Sequence, residues 1–286
     1  MQCRLKPPPR LQPRPKRLGE RRRMTIALGI LTPDGLVIAA DAQETAGYFK
    51  GFALKVHSAM TKTNIRSTVA SAVCITGAGS GVYLDAITDE IIRGFHKNQD
   101  SDIPTFESHL RECVKQFYKE HVSNKPPHMA RDIDLIVGAQ IEGRHALWIT
   151  DLSVVKSAVG FEAVGSGSPY ARMAIENRTA SMDSEHAAVL SVLGVMQAKE
   201  YDQDCGKSTS VTFLKNNLAH TVPRHLVQEA EGLFQRYAGI EYSAFVHALG
   251  SELADDPKRP RNLSRWLREL RKDFSELASR FAQVRD

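Results

Sequence analysis

Strand-like and helix-like patterns come in blocks along residues 25–215 and do not alternate one by one. Two apolar runs, 25–30 and 36–40, flank the turn residues 33–35, which predicts a β-hairpin. The same reading predicts strands at 69–76, 133–140, 146–151 and 210–214, and helices at 82–95, 106–121, 169–178 and 184–200. Blocks of strands followed by pairs of helices favour an α+β sandwich of antiparallel sheets with segregated helices over alternating βαβ units.

Charge is divided unevenly along the chain. The sequence carries 38 Lys and Arg against 33 Asp and Glu, a formal net charge of +5. Residues 1–23 hold nine of the basic residues and a single acid, so the rest has 29 basic against 32 acidic residues, a net of −3. The same segment holds five of the 13 prolines, which predicts a disordered basic arm. We expect this arm to be a propeptide, or the product of a start codon upstream of Met24.

Composition excludes several classes of protein. No stretch approaches the ~20 apolar residues of a membrane-spanning helix, and we expect no membrane partner. Four cysteines, Cys3, Cys74, Cys113 and Cys205, lie far apart with no CxxC spacing, which argues against a disulfide framework or a structural zinc site. No metal and no cofactor are predicted, and the chain is expected to be cytoplasmic.

Two glycine-containing segments imitate nucleotide-binding motifs. Residues 206–209 read GKST, but a P-loop needs a glycine five residues before its GK glycine, where Tyr201 stands. The segment 77–81 has two glycines of a dinucleotide fingerprint, but the third position is Val82. Neither segment predicts a nucleotide site.

Thr25 directly follows Met24 and offers a nucleophile that needs no histidine. If Thr25 became the first residue, its α-amine, with a pKa of roughly 7.7–8.0, could act as general base for its own hydroxyl. Removal of one methionine ordinarily proceeds before a side chain as small as threonine. Translation from Met24 would therefore expose this amine.

An ordered set of motifs resembles the proteasome β-type subunits, and most closely the HslV type of bacterial proteasome-like peptidase. The set comprises residues 25–30, the acid-terminated strand 34–41, segments 43–56 and 77–81, the VGSGSPYA stretch at 164–171, and DQDCG at 202–206. It covers about residues 25–215. The resemblance implies a four-layer αββα sandwich of the Ntn-hydrolase (N-terminal nucleophile) type, spanning 25–222 and followed by a helical extension at 223–286.

The same resemblance implies roles for the central residues. Thr25 matches the N-terminal nucleophile, and Lys55 matches the lysine whose ammonium lies beside the nucleophilic oxygen. Asp41 matches the carboxylate that pairs with this lysine. The backbone N–H of Gly77 or of Ala78 matches the oxyanion hole, since the alignment there can slip by one residue.

Outer positions carry over in the same way. Ser166 and Asp202 match groups that hydrogen-bond the α-amine, and Thr45 and Gly47 match positions that bind an extended substrate backbone. Cys205 stands where the family usually has a serine, so the outer hydrogen bond would come from a weaker S–H donor.

The leading hypothesis is a threonine peptidase in a homo-oligomeric ring, acting on peptides or unfolded proteins, which an ATP-dependent unfoldase would supply. The first alternative is an inactive ring-forming scaffold of the same fold, because the glycines and sheets alone would serve that purpose. The combination of Thr25, Asp41 and Lys55 favours the active form. The second alternative is a nucleic-acid-associated protein acting through the basic arm, which the net charge of −3 on the remaining chain disfavours.

Overall fold

The computed structural model describes residues 25–46, 49–61, 71–97, 102–123, 133–176, 182–248 and 259–284. Within these ranges it contains two antiparallel five-stranded sheets, a separate two-stranded hairpin and six α-helices. The predicted arm at 1–23 and the candidate substrate-binding residue Gly47 lie outside the described residues.

The first sheet has the strand order β10-β1-β2-β11-β12. Its strands are β1 (Ala27–Thr32), β2 (Gly35–Asp41), β10 (Phe161–Val164), β11 (Thr209–Lys215) and β12 (Leu218–Thr221). The predicted hairpin is confirmed: β1 and β2 pair antiparallel across the two-residue turn Pro33-Asp34. Gly35 is required there because a Cβ at this position would lie 2.2 Å from the carbonyl oxygen of Leu214.

The second sheet has the order β5-β6-β7-β8-β9. Its strands are β5 (His57–Met60), β6 (Ala72–Gly79), β7 (Ile133–Ile141), β8 (Arg144–Asp151) and β9 (Val154–Ser157). The turn Glu142-Gly143 has positive φ at both positions, 51° and 74°, which matches the twist of a tight antiparallel hairpin. A separate hairpin of β3 (Gln43–Ala46) and β4 (Phe49–Phe52) leaves the end of β2.

Helices cover the outer faces of both sheets. The second sheet is covered by α1 (Gly81–Lys97) and α2 (Ile103–Phe117), which continues as a π-helical turn, Tyr118–Val122. The first sheet is covered by α3 (Ser168–Ile175) and α4 (Ser184–Tyr201). Two long helices, α5 (Arg224–Ala248) and α6 (Arg259–Ala282), pack on α4.

Alternation along the strands divides the core into three clusters. On β2, Leu36, Ile38 and Ala40 point into the layer between the sheets, while Val37 and Ala39 point toward the helices. Period-two alternation in strands that are buried on both faces produces this pattern. The result is the predicted four-layer αββα sandwich.

The main helices and the longer strands agree with the sequence analysis. Six short strands, β3, β4, β5, β9, β10 and β12, were not predicted as separate elements. On α6, Leu270, Leu277 and Phe281 are buried, whereas Trp266 and Leu267 are exposed. No helix in the described ranges is long and apolar enough to cross a membrane.

Candidate active site

The hairpin β1-β2 brings Thr25 beside Asp41. Its register sets Ala27 opposite Ala40, so Ile26 lies opposite Asp41. The backbone N–H of Asp41 donates to the carbonyl of Ile26 at 3.1 Å, and the N–H of Ile26 donates to Asp41 Oδ1 at 3.1 Å. Thr25 lies two residues before β1 begins and is therefore held next to the carboxylate that ends β2.

Lys55 completes a triad with these two residues. It follows the β3-β4 hairpin, and its Nζ donates to Thr25 Oγ and to Asp41 Oδ1, the latter at 2.9 Å. The hydroxyl of Thr25 donates in turn to Asp41 Oδ1. Asp41 is fully buried and the Lys55 side chain is 12% exposed. The three side chains form one connected set with the threonine oxygen between a cation and an anion.

Backbone donors hold the Asp41 carboxylate from the other side. Oδ2 accepts from the N–H of Gly206 at 2.9 Å and from the N–H of Gln43 at 3.3 Å. A buried carboxylate is costly unless its oxygens are hydrogen-bonded. With the donors on Oδ1, this arrangement satisfies both oxygens and fixes the plane of the carboxylate. Gln43 and Gly206 lie in the matching motifs, but no role was predicted for them, because a backbone donor has no side-chain signature.

The loop that follows α4 contains two of the predicted outer residues. Asp202 Oδ1 accepts from the N–H of Asp204 at 2.9 Å, and Asp202 Oδ2 lies 3.7 Å from the Cys205 thiol, which is placed to donate to it. Burial raises the pKa of the Cys205 thiol above its ordinary value. The negative charges of Asp41 and Asp202 raise it further, while Lys55 opposes them. Cys205 is therefore a neutral thiol at physiological pH.

A glycine-rich turn between β10 and α3 holds the backbone of Thr25. The N–H of Gly167 donates to the Thr25 carbonyl at 3.2 Å. Gly165 has φ +92°, and a Cβ there would lie 2.3 Å from the same carbonyl oxygen. Ser166, between them, has a buried hydroxyl oxygen with no hydrogen-bond partner among the described residues. This turn leaves an unused polar group close to the backbone of Thr25.

The predicted oxyanion residues lie near the end of β6. Gly77 and Ala78 pair with Leu135 and Asp134 of β7. Pairing with β5 ends at Ile75, so the other edge of this segment is not covered by β5. A Cβ on Gly165 would lie 3.1 Å from the Cβ of Ala78, which puts Ala78 on the Thr25 side of the sheet.

The remaining predicted residues lie around this centre. Thr45 is in β3, paired with Lys50. A cleft of about 800 Å³ opens beside Ser166 and Asp202, and Tyr170 also lines it. The cleft does not include Thr25, Asp41 or Lys55 in its lining, so it borders the outer groups and not the triad. The described residues contain no cluster of metal-ligating side chains.

Comparison with solved structures identifies this architecture. An Anbu (ancestral beta-subunit) protein from Yersinia bercovieri superimposes with a TM-score of 0.58 at 14% identity, covering 75% of this chain and 97% of the other. Anbu from Hyphomicrobium sp. strain MC1 gives a TM-score of 0.60 at 16% identity, covering 77% and 97%. A structure described as a helical assembly of the Anbu complex from Pseudomonas aeruginosa gives 0.54 at 14% identity, covering 88% and 96%.

The chain has the proteasome-like sandwich fold. This confirms the predicted fold class, and the three structures are Anbu proteins and not subunits of the HslV type. The sequence matches no protein-family model and no curated protein.

Proposed function

We propose that this chain is a threonine-type amide hydrolase whose nucleophile is Thr25, exposed by removal of residues 1–24. The observation that carries the proposal is the position of the Thr25 oxygen, which accepts from the Lys55 ammonium and donates to the Asp41 carboxylate. If Asp41 only capped a turn and Lys55 only lay at the surface, neither side chain would need to bond to the Thr25 hydroxyl. A threonine that is 97% buried just before a strand has no structural need of a lysine ammonium against its hydroxyl.

The chemistry would use the freed α-amine of Thr25 as general base. The amine takes the hydroxyl proton as Oγ attacks the substrate carbonyl, and the Lys55 ammonium stabilises the negative charge that develops on Oγ. The carbonyl oxygen becomes an oxyanion that receives N–H donors from Gly77 or Ala78. The α-ammonium of Thr25 then donates this proton to the leaving nitrogen as the C–N bond breaks, which frees the α-amine and leaves an ester on Thr25 Oγ. Water, deprotonated by the same amine, hydrolyses this ester and regenerates the enzyme.

Two outer groups would hold the α-amine. The buried hydroxyl of Ser166 lies in the turn that contacts the Thr25 carbonyl and has no partner among the described residues. A buried polar atom without a partner costs about 1–3 kcal/mol. A new amine at Thr25 would give the Ser166 hydroxyl a hydrogen-bond partner. The carboxylate of Asp202 is held in the adjoining loop by the N–H of Asp204 and the thiol of Cys205. Its negative charge would offset the positive charge that the amine acquires during the reaction.

Assembly and substrate class are part of the same proposal. An Anbu structure is described as a helical assembly, and we propose that this chain also forms a homo-oligomer. We propose peptides and unfolded segments as substrates, with Thr45 and Gly47 binding the extended backbone through strand addition. Folded proteins would need an ATP-dependent unfoldase to supply such segments.

The test is expression from Met24, with peptide cleavage compared among three variants. Thr25→Ala should abolish cleavage, whereas Thr25→Ser keeps a hydroxyl and should retain part of it. Thr32→Ala is the matched control, because Thr32 is also a buried threonine of this hairpin, but its hydroxyl donates to Asp34 and to the Gly35 carbonyl and contacts neither Lys55 nor Asp41. Equal cleavage by Thr25→Ala and the parent protein would refute the proposal.

A second measurement on the same protein distinguishes an inactive scaffold from a hydrolase. An epoxyketone reacts with a threonine that has both a free hydroxyl and a free α-amine. A defined oligomer that forms no adduct with the epoxyketone would identify the chain as a scaffold. An adduct on Thr25 supports the hydrolase.

A further inference from the structure

One carboxylate of α5 reaches the strand that borders the candidate site. Glu231 Oε1 accepts from Lys199 Nζ at 2.6 Å and from the hydroxyl of Thr209 at 2.9 Å. Lys199 Nζ also lies 2.9 Å from the Thr209 hydroxyl oxygen and donates to the Lys207 carbonyl at 3.4 Å. The side chains of Lys199 and Glu231 are 17% and 23% exposed. Residues of α4, α5 and β11 thus share one partly buried polar cluster.

This cluster adjoins the segment that holds Asp41. Thr209 is the first residue of β11 and pairs with Asp41 of β2. Just before it, the Ser208 carbonyl accepts from the N–H of Ala42 at 2.9 Å. Two residues earlier, the N–H of Gly206 donates to Asp41 Oδ2 at 2.9 Å. The position of Thr209 therefore determines where two hydrogen bonds to Asp41 and its neighbour can form.

The segment between α4 and β11 needs such an anchor. Lys207 has φ +64°, in the left-handed region that costs a non-glycine residue about 1–2 kcal/mol. Such a conformation persists only where surrounding contacts fix it. One of those contacts is the bond from Lys199 to the Lys207 carbonyl. Without Glu231, Lys199 and Thr209 would lose their shared acceptor, and the loop would lose its connection to α5.

We propose that Glu231 is a positioning residue, which acts through Lys199 and Thr209 to hold the Gly206 N–H against the Asp41 carboxylate. The helix α5 then belongs to the catalytic unit, although it lies outside the region of sequence resemblance. Only the consequence for reaction rate rests on the proposed hydrolase function. The consequence for the geometry of the loop does not.

The first test is amide hydrogen exchange on the full chain, comparing Glu231→Ala with Glu229→Ala. Glu229 is the matched control: it is a glutamate on the same helix with an ion pair of 2.6 Å, but its partner is Arg280 of α6. Loss of a hydrogen bond to a charged group is worth about ten- to a hundredfold in an equilibrium. We expect exchange at Gly206 and Ala42 to accelerate by that factor in Glu231→Ala and to stay unchanged in Glu229→Ala.

The conservative variant separates positioning from general destabilisation. Glu231→Gln keeps an oxygen that can accept from both Lys199 and Thr209, so exchange at Gly206 should return close to the parent rate. Glu231→Asp is shorter by one methylene and serves as the disruptive variant if Glu231→Ala does not fold. Amide exchange at Leu28, in the centre of β1, reports global opening. Acceleration at Gly206 and Ala42 that does not exceed the acceleration at Leu28 would mean general destabilisation and would overturn the inference.

Rate measurements give the second readout. If Thr25 is the nucleophile, kcat and epoxyketone labelling should fall in Glu231→Ala, remain in Glu229→Ala, and recover in Glu231→Gln. If no variant cleaves any peptide, the proposed function fails and the exchange experiment still decides the role of Glu231. Unchanged exchange at Gly206 and Ala42 in folded Glu231→Ala, or equal acceleration in Glu229→Ala, overturns the inference.

Discussion

Replacing Gly165 by alanine tests whether the glycine-rich turn fixes the nucleophile. Gly165 has φ +92°, and its missing Cβ would lie 2.3 Å from the carbonyl oxygen of Thr25. Gly160 is the matched control, because it lies directly before β10, the strand that leads into this turn. It has φ +81°, and a Cβ there would have no neighbour within 4 Å. The two substitutions therefore share one cost, the left-handed backbone, and differ in what the new Cβ contacts, which at Gly165 is chiefly the Thr25 carbonyl and then the Cβ of Ala78.

The shared cost is about 1–2 kcal/mol of folding free energy, the penalty of a Cβ in the left-handed region. The additional cost in Gly165→Ala follows from distance. Real Cβ atoms essentially never approach another atom closer than 3.0 Å, so the separation of 2.3 Å must grow by about 0.7 Å. Misplacement of a reacting group by ~1 Å costs on the order of a hundredfold in rate. We expect Gly165→Ala to lose about ten- to a hundredfold in activity.

Urea unfolding and peptide cleavage, measured on both variants, separate the two effects. Both variants should lose similar stability from the backbone penalty, with a further loss in Gly165→Ala from the clash. Only Gly165→Ala should lose cleavage and epoxyketone labelling. If Gly165→Ala cleaves peptides as fast as Gly160→Ala, the turn does not position Thr25 and the reasoning is refuted.

Three further experiments test individual contacts. Lys55→Met keeps the aliphatic stem but removes the ammonium beside the Thr25 oxygen, so peptide cleavage should fall by about a hundredfold or more. Retained cleavage in Lys55→Met would contradict the proposed role of this ammonium. Burial raises the pKa of Asp34, but hydrogen bonds outweigh this and hold that pKa below its usual value. Asp34 therefore contributes stability above its unfolded pKa of about 3.9, and the contribution disappears as pH falls through the folded pKa. The urea midpoints of the parent and Asp34→Asn should differ near about pH 6, and the difference should shrink as pH falls below about 3.9; a difference independent of pH would contradict this. Because the pKa of the Cys205 thiol is raised, iodoacetamide at pH 8 should label it only after unfolding, and rapid labelling of the folded protein would show a thiolate.

Sequence periodicity was sufficient for the elements that bury a regular face. The hairpin β1-β2 and the helices α1 and α2 follow from apolar spacing and turn residues, and the hairpin register alone places Thr25 beside Asp41. Short strands were missed for a physical reason. The strand β10, Phe161–Val164, has only four residues, too few to display a period, and it forms because β1 offers an edge for pairing.

The candidate site likewise has parts that could be assigned from the sequence and parts that depend on tertiary packing. Side chains such as Lys55 could be assigned through resemblance because their chemistry appears in the sequence. Two contacts could not be assigned from the sequence: the hydrogen bond from the Gly206 N–H to Asp41, and the hydrogen bond from the Thr209 hydroxyl to Glu231. The first involves a backbone group with no residue preference, and the second depends on how α5 packs against α4 and β11, which no local pattern encodes.

We propose that Thr25 becomes an N-terminal nucleophile held by Lys55 and Asp41. The decisive measurement is the intact mass of the purified oligomer before and after treatment with a peptide epoxyketone. We expect a chain that begins at Thr25 and gains the mass of one inhibitor per subunit, with no gain in Thr25→Ala. A chain that keeps Met24 or any earlier residue, or a free Thr25 that gains no mass, would contradict it.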